Sequence, residues 1–177
     1  MLLAINSHQF WAVFRTKLGY NLRSEVSQTY LGYLWWLLEP VLWVTALYVV
    51  FGIFLRLRTD DLLVFLIVGM VTYIWFQRSV GNASRSLAQR GGLMTQIPIQ
   101  KVFFPLLTVC QDAVKQAVVF VAMFGFLAYL DVFPSLSWVS LPLVMAAQWL
   151  LILALGMACA AIVPIIPDMR FLIATLL

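Results

Sequence analysis

Of 177 residues, 64% are hydrophobic and only 10% charged, where soluble domains carry about 45–50% and about 25%. These values exclude a water-soluble globular protein and predict an all-α polytopic membrane protein, with room for four or five crossings at about 20 apolar residues each. Lys plus Arg exceed Asp plus Glu by 11 to 7, a surplus that in a bilayer protein speaks of topology and anionic headgroups and against a nucleic-acid partner.

The amino terminus turns polar at Asn6–Gln9, without the apolar run and cleavage site of a signal peptide, so the first membrane helix is expected to target the chain. Within 6–30, Phe10, Phe14, Leu18 and Leu22 recur every four positions, with Trp11 beside them and Arg15, Lys17 and Arg23 on the other arcs. The pattern predicts a basic amphipathic helix lying in the membrane interface, with packing on another domain as the alternative. Residues 33–55 are apolar except for Glu39, Pro40 and Gly52 and cover about 34 Å as a helix, enough to cross. Arg56, Arg58, Asp60 and Asp61 mark a tight hairpin, and 62–80 form the second crossing, which carries Arg78 near its end. From Gly81 to Lys101 the composition is polar and basic, with Arg85, Arg90 and Lys101 and no acid, and reads as a water-facing loop. A third crossing is expected over 102–130, with a half-embedded lead-in at Val102–Gln111 around Pro105. Asp112 and Lys115, at i, i+3, form a mutually neutralising pair near the cytoplasmic interface. A turn with Pro134, Ser135 and Ser137 leads to the fourth crossing, 138–166, closed by Pro164 and Pro167. Asp168 is expected to cap a further helix over 168–177, too short to span, which suggests a piece of a longer protein. Arg15, Lys17, Arg23, Arg78, Arg85, Arg90, Lys101 and Arg170 fall on one side against Arg56 and Arg58, which makes the amino terminus cytoplasmic.

Little in the chain suits catalysis. His8 is the lone histidine, Cys110 and Cys159 sit in apolar runs as small hydrophobes, and no Gly-x-x-x-x-Gly-Lys-Ser/Thr loop is present. Hence no catalytic or metal-ligating residue is expected, and any ATP chemistry belongs to a partner. Glu39 stands out because an ionisable residue inside a span is costly unless paired, hydrated or close to the interface. Snorkelling or pairing with a neighbouring helix is the plain explanation. Trp35, Glu39 and Trp43 are spaced i, i+4, i+8, with Trp36 adjacent and Tyr48 and Phe51 deeper, so one face joins flat rings to an acceptor as a sugar would require. Tyr73, Trp75 and Phe76 repeat the pattern on the second crossing. An interfacial aromatic belt or ordinary packing competes for each ring.

The run Tyr30-Leu31-Gly32-Tyr33-Leu34-Trp35-Trp36-Leu37-Leu38-Glu39-Pro40, followed by Val49-Val50-Phe51-Gly52, resembles the first-helix signature of ABC-2 type permeases that export O-antigen, capsule or teichoic acid. Lys101-Val102-Phe103-Phe104-Pro105 is similar to that family's lead into the third helix. Asp168 matches the start of its fifth helix, although Pro167 stands where the family has arginine, and the asparagine that usually precedes the Lys-Val motif is absent, with Gly91-Gly92 in the vicinity. The resemblance implies a six-helix permease of the bacterial inner membrane that pairs with a second copy of itself around a channel. It implies two separate ATPase subunits holding ATP and Mg, no cofactor in this chain, and a lipid-linked glycan as cargo. By position, 84–97 would be the cytoplasmic coupling helix, with Arg85, Arg90, Gly91, Gly92 and Leu93 against the ATPase. The aromatics of the first two crossings would line the glycan path. A drug or lipid exporter of the same group is the alternative, and a membrane enzyme of polyprenyl-linked glycan metabolism is a third, ill served by a loop without acids.

Overall fold

The computed structural model of the chain describes residues 7–27, 30–55, 61–89, 101–130 and 136–177. Regular structure among them is entirely helical: α1 (Ser7–Ser27), α2 (Leu34–Tyr48) continuing as a π-helical turn over Val49–Phe54, α3 (Leu62–Gln89), α4 (Phe103–Tyr129), α5 (Leu141–Ile162) preceded by a 3₁₀ turn at Leu136–Ser140, and α6 (Met169–Leu176). Among the described residues four segments are long and apolar enough to cross a bilayer: Leu34–Phe54, Leu62–Ala88, Phe103–Tyr129 and Trp138–Ile162. An all-α multi-pass architecture is therefore what the apolar composition produces. In hydrocarbon the helix satisfies every backbone N–H and C=O within its own segment.

Helix α3 is central, packed along both α4 and α5 and flanked by α2. Its buried face presents Leu66, Ile67, Val71, Trp75, Val80 and Ala83 to Val109, Val119 and Phe120 of α4 and Ile152 of α5. The tightest approach is made by small residues, as expected where van der Waals contact drives helix association. A Cβ added to Gly156 would sit 2.9 Å from the Ala83 Cβ. Two glutamines tie the neighbours to α3: Gln148 Nε2 donates to the Thr72 carbonyl at 2.9 Å and Gln116 Nε2 to the Val71 carbonyl at 3.4 Å.

Two glycines of the family-like signature have local explanations. Gly32, in the turn between α1 and α2, has φ +50°, a region that costs L-residues about 1–2 kcal/mol, and an added Cβ would meet Val26 Cγ1 at 3.2 Å. Gly52 lies in the π-helical turn beneath the Tyr48 ring, which is 3.4 Å from where its Cβ would be. A wider turn and a missing side chain together make room for that ring.

Four expectations from the sequence need correction. The second crossing does not stop at residue 80: α3 runs unbroken to Gln89, so 81–89 is helix, not loop. Its polar residues are accommodated because Ser84 Oγ donates to the Gly81 carbonyl at 2.8 Å and Ser86 Oγ to the Ala83 carbonyl at 2.7 Å, and both serines are buried. The proposed coupling helix over 84–97 is, as far as Gln89, the end of α3. Secondly, α4 has no half-embedded lead-in. It is continuous from Phe103, because Pro105 falls in the first turn, where its missing N–H has no helical acceptor. Thirdly, α5 ends at Ile162 and not near 166: Val163 still has helical φ and ψ, but Pro164 has no N–H to continue the ladder. Asp168, finally, occupies the cap position of α6 but has helical φ and ψ and makes no side-chain cap bond. Arg56, Arg58 and the hairpin they mark, Arg90, Gly91, Gly92 and Leu93, and the turn around Pro134 and Ser135 lie outside the described residues.

Substituting Gly156→Ala should destabilise the protein by about 1–3 kcal/mol through overpacking, with Ala83→Gly in the same chain restoring most of the loss. Thermal unfolding in detergent measures both, and a double variant no more stable than Gly156→Ala would contradict this account of the α3–α5 contact.

Candidate functional site

The stripe Phe10, Phe14, Leu18 on α1 packs on Phe103, Phe104 and Leu107 of α4. Phe14 stands against Phe103, Asn21 against Gln111 and Glu25 against Lys115, so numbers rise together. The two helices run side by side in the same direction for about three turns, about 16 Å. The apolar face assigned from sequence to the lipid interface is thus used on the protein's own third crossing, while Trp11, Arg15, Lys17 and Arg23 occupy the exposed arcs.

Beyond that apolar contact the junction turns polar. Lys115 Nζ donates to Glu25 Oε1 at 2.7 Å and to Asp112 Oδ1 at 3.2 Å, and lies 6.0 Å from the Trp36 ring centroid on α2. Asn82 of α3 donates to the other oxygen of Asp112 at 3.0 Å. Gln111 donates to Glu25 Oε2 at 2.8 Å and accepts from Asn21 at 3.3 Å. Asp112 is 3% exposed, yet both of its oxygens are occupied, which is what permits a buried charge. The Asp112/Lys115 pair read from sequence is real, but it belongs to a cluster joining four helices. Glu25 was missed. The signal was present, since Phe14, Leu18, Leu22 and Glu25 share one face of α1, and an acid continuing an apolar stripe asks for a buried cation.

Glu39 forms an ion pair with Arg78 of α3, both half-buried. Pairing is thus what holds this acid in the span, and Arg78, read from sequence only as a topology signal, is its partner. A polar cleft of about 270 Å³ opens beside the pair, lined by Glu39 and Trp43 from α2, by Gln77, Arg78, Asn82 and Arg85 from α3, and by Ala174 and Leu177 at the end of α6. A second cavity, about 540 Å³ and almost wholly apolar, lies between α3, α4 and α5, with Tyr73, Phe76, Phe120, Met123 and Met145 on its wall.

The aromatics expected to line one path do not converge on one. Trp43 faces the polar cleft; Tyr73 and Phe76 face the apolar cavity on the far side of α3. Trp35 and Tyr48 are exposed on α2 and Phe51 is partly covered. Trp36 and Trp75, each 6% exposed, are a correction: they are core residues, packed edge-on against Tyr33 at 5.1 Å and Phe120 at 5.7 Å, and offer no face to a sugar. The i, i+4 spacing explains it. Trp36, Pro40 and Val44 form the buried edge of α2, so Trp35, Glu39 and Trp43, one position back, form the open one. Arg85 lines the cleft with Glu39 and does not stand on a separate cytoplasmic helix. Among the described residues, no group of three or more His, Cys, Asp or Glu side chains is placed to hold a metal ion.

This arrangement is that of a multi-pass membrane protein with a polar cleft on one side of α3 and an apolar cavity on the other. The chain is 27% identical over 129 residues to the O-antigen export system permease protein RfbA of Klebsiella pneumoniae, a match covering 72% of this chain and 50% of that protein. It is 25% identical over 157 residues to the protein of the same name from Myxococcus xanthus, covering 89% and 60%. The chain thus spans about half to three-fifths of the length of the curated relatives it matches. No protein-family model matches it, and no solved structure does. The relatives bear out the resemblance to the ABC-2 type permeases of polysaccharide export.

Lys115→Met should cost about 3–5 kcal/mol, because Asp112 is left enclosed without its cation. Adding Asp112→Asn should recover most of that loss in thermal unfolding of the detergent-solubilised protein. A single variant as stable as the parent would show that the cluster does not hold the junction.

Proposed function

We propose that the chain is part of the permease subunit of an ABC transporter that exports a lipid-linked polysaccharide, O-antigen-like in class, across the bacterial inner membrane. The observation that carries this reading is the similarity to two O-antigen export permeases over 72% and 89% of the chain, on an all-α polytopic fold. A separate ATPase, in two copies, supplies ATP hydrolysis with Mg, and a second copy of the permease completes the channel. The amino terminus is cytoplasmic, in line with the excess of Lys and Arg on α1, the end of α3 and Lys101. The permease makes and breaks no covalent bond. Its open face on α2, with Trp35 and Trp43 flanking Glu39, suits weak, sequence-tolerant stacking on passing sugar rings. The cytoplasmic end of α3 and the residues that follow it are the proposed contact with the ATPase.

A drug or lipid exporter of the same group is the second reading, favoured by the apolar cavity between α3, α4 and α5. Replacing Trp35 and Trp43 together by Leu separates the two. The glycan reading predicts that surface polymer, measured by immunolabelling of intact cells, falls several-fold with the amount of folded protein unchanged, whereas Trp36→Leu lowers the folded amount. Undiminished surface polymer in the double variant, or in a strain lacking the gene, would contradict glycan export.

A further inference from the structure

Ile74, Arg78, Gly81, Asn82 and Arg85 recur at i, i+4, i+7, i+8 and i+11 and so share one face of α3. Opposite them α2 presents Glu39 and Trp43, and Ala174 and Leu177 at the end of α6 complete the wall of the 270 Å³ cleft, the room of roughly nine waters at about 30 Å³ each. Its charge does not balance. Glu39 is committed to Arg78, and among the described residues Arg85 has no acidic partner. Nor does Arg85 extend away from the bilayer. Its side chain folds back along α3, as helical side chains lean towards the amino-terminal end, so that Nη2 lies 4.0 Å from the place a Cβ on Gly81 would take. The guanidinium thus rests within van der Waals range of position 81, and it lines the same cleft as Arg78. The side chains of the cleft therefore supply two guanidinium groups against one carboxylate, with the Gln77 amide on its wall, between two membrane-spanning helices and the end of α6.

We propose that this cleft binds the phosphate of an anionic lipid headgroup, held by Arg85 and Arg78. Guanidinium forks match phosphate oxygens in pairs, which an ammonium cannot do. A basic pocket between spanning helices at the charged end of a bundle is where a headgroup phosphate lies while its acyl chains remain in the bilayer. Glu39 sets the selectivity: by occupying part of Arg78 it leaves one net positive charge, enough for a monoanionic phosphodiester and poor for a soluble polyanion. The site does not depend on the transport reading, and it gives Arg85 a role distinct from contact with an ATPase.

The purified protein in detergent, titrated with phosphatidylglycerol, phosphatidylcholine or inorganic pyrophosphate and followed by native mass spectrometry, tests the site. Phosphatidylglycerol should be retained about fivefold better than phosphatidylcholine, the gain expected from one basic residue. Arg85→Gln and Gly81→Leu, which fills the resting place of the guanidinium, should each erase that preference with helicity by circular dichroism unchanged. Arg15→Gln, which removes the same charge from the exposed arc of α1, should keep it. Equal loss in Arg15→Gln and Arg85→Gln, or no preference in the parent, would overturn the proposal. Retention of pyrophosphate at concentrations where the lipid is not retained would assign the cleft to a soluble phosphate and overturn it as well.

Discussion

The Lys115 ammonium is the point at which the helices are fixed to one another. Four of them meet there: α4 carries it, α1 supplies Glu25, α3 orients Asp112 through Asn82, and α2 places Trp36 over it. In a bilayer such a cluster is a commitment, because no water stands ready to replace a lost partner. It is also directional. Apolar faces of spanning helices are nearly as well solvated by lipid as by each other, so packing alone selects weakly among rotations. A buried carboxylate whose two oxygens need two named donors selects one. With α3 and α4 set in this way, the open edge of α2 is brought against the Arg78 face of α3, and Glu39 finds its cation there.

How much of this was legible in the sequence follows from the range of each effect. The four crossings were, because hydropathy over about 20 residues is a bulk property that needs no partner. The first and third were placed to within a residue or two. The end of the second was not, since Ser84 and Ser86 read as loop composition although only 1% and 4% of them is exposed and both bond back to their own helix. Pro105 looked like an interruption because its effect depends on which turn of the helix receives it. The site was only half legible. Glu39 and Trp43 were singled out correctly as sharing a face, but Trp36 and Trp75 could not be told from them. Whether a ring is buried depends on helix rotation, and that depends on Glu25, Asn82 and Gln111, three residues unremarkable until their partners are known.

The two openings beside α3 differ in kind, and the difference bears on function. The cleft with Glu39, Arg78 and Arg85 is polar and lies towards α2; the cavity with Tyr73 and Phe76 is apolar and lies towards α4 and α5. A lipid-linked glycan has both characters, a charged and hydroxylated head on a hydrocarbon tail, and α3 separates surfaces suited to each. Gly81 and Ala83 keep α3 slim on the two sides, one beside the Arg85 guanidinium and the other against Gly156 of α5.

The central claim is that α1 is clamped lengthwise along α4 and does not lie loose in the interface. Asn21→Cys and Gln111→Cys introduced together, with Cys110 and Cys159 replaced by Ala, place two thiols where the wild-type amides stand 3.3 Å apart. A short bis-methanethiosulfonate reagent applied to native membranes should join them in high yield, and adding Lys115→Met should reduce it sharply. Failure to cross-link in the parent background, with both thiols reactive to a single-site reagent, would contradict the account.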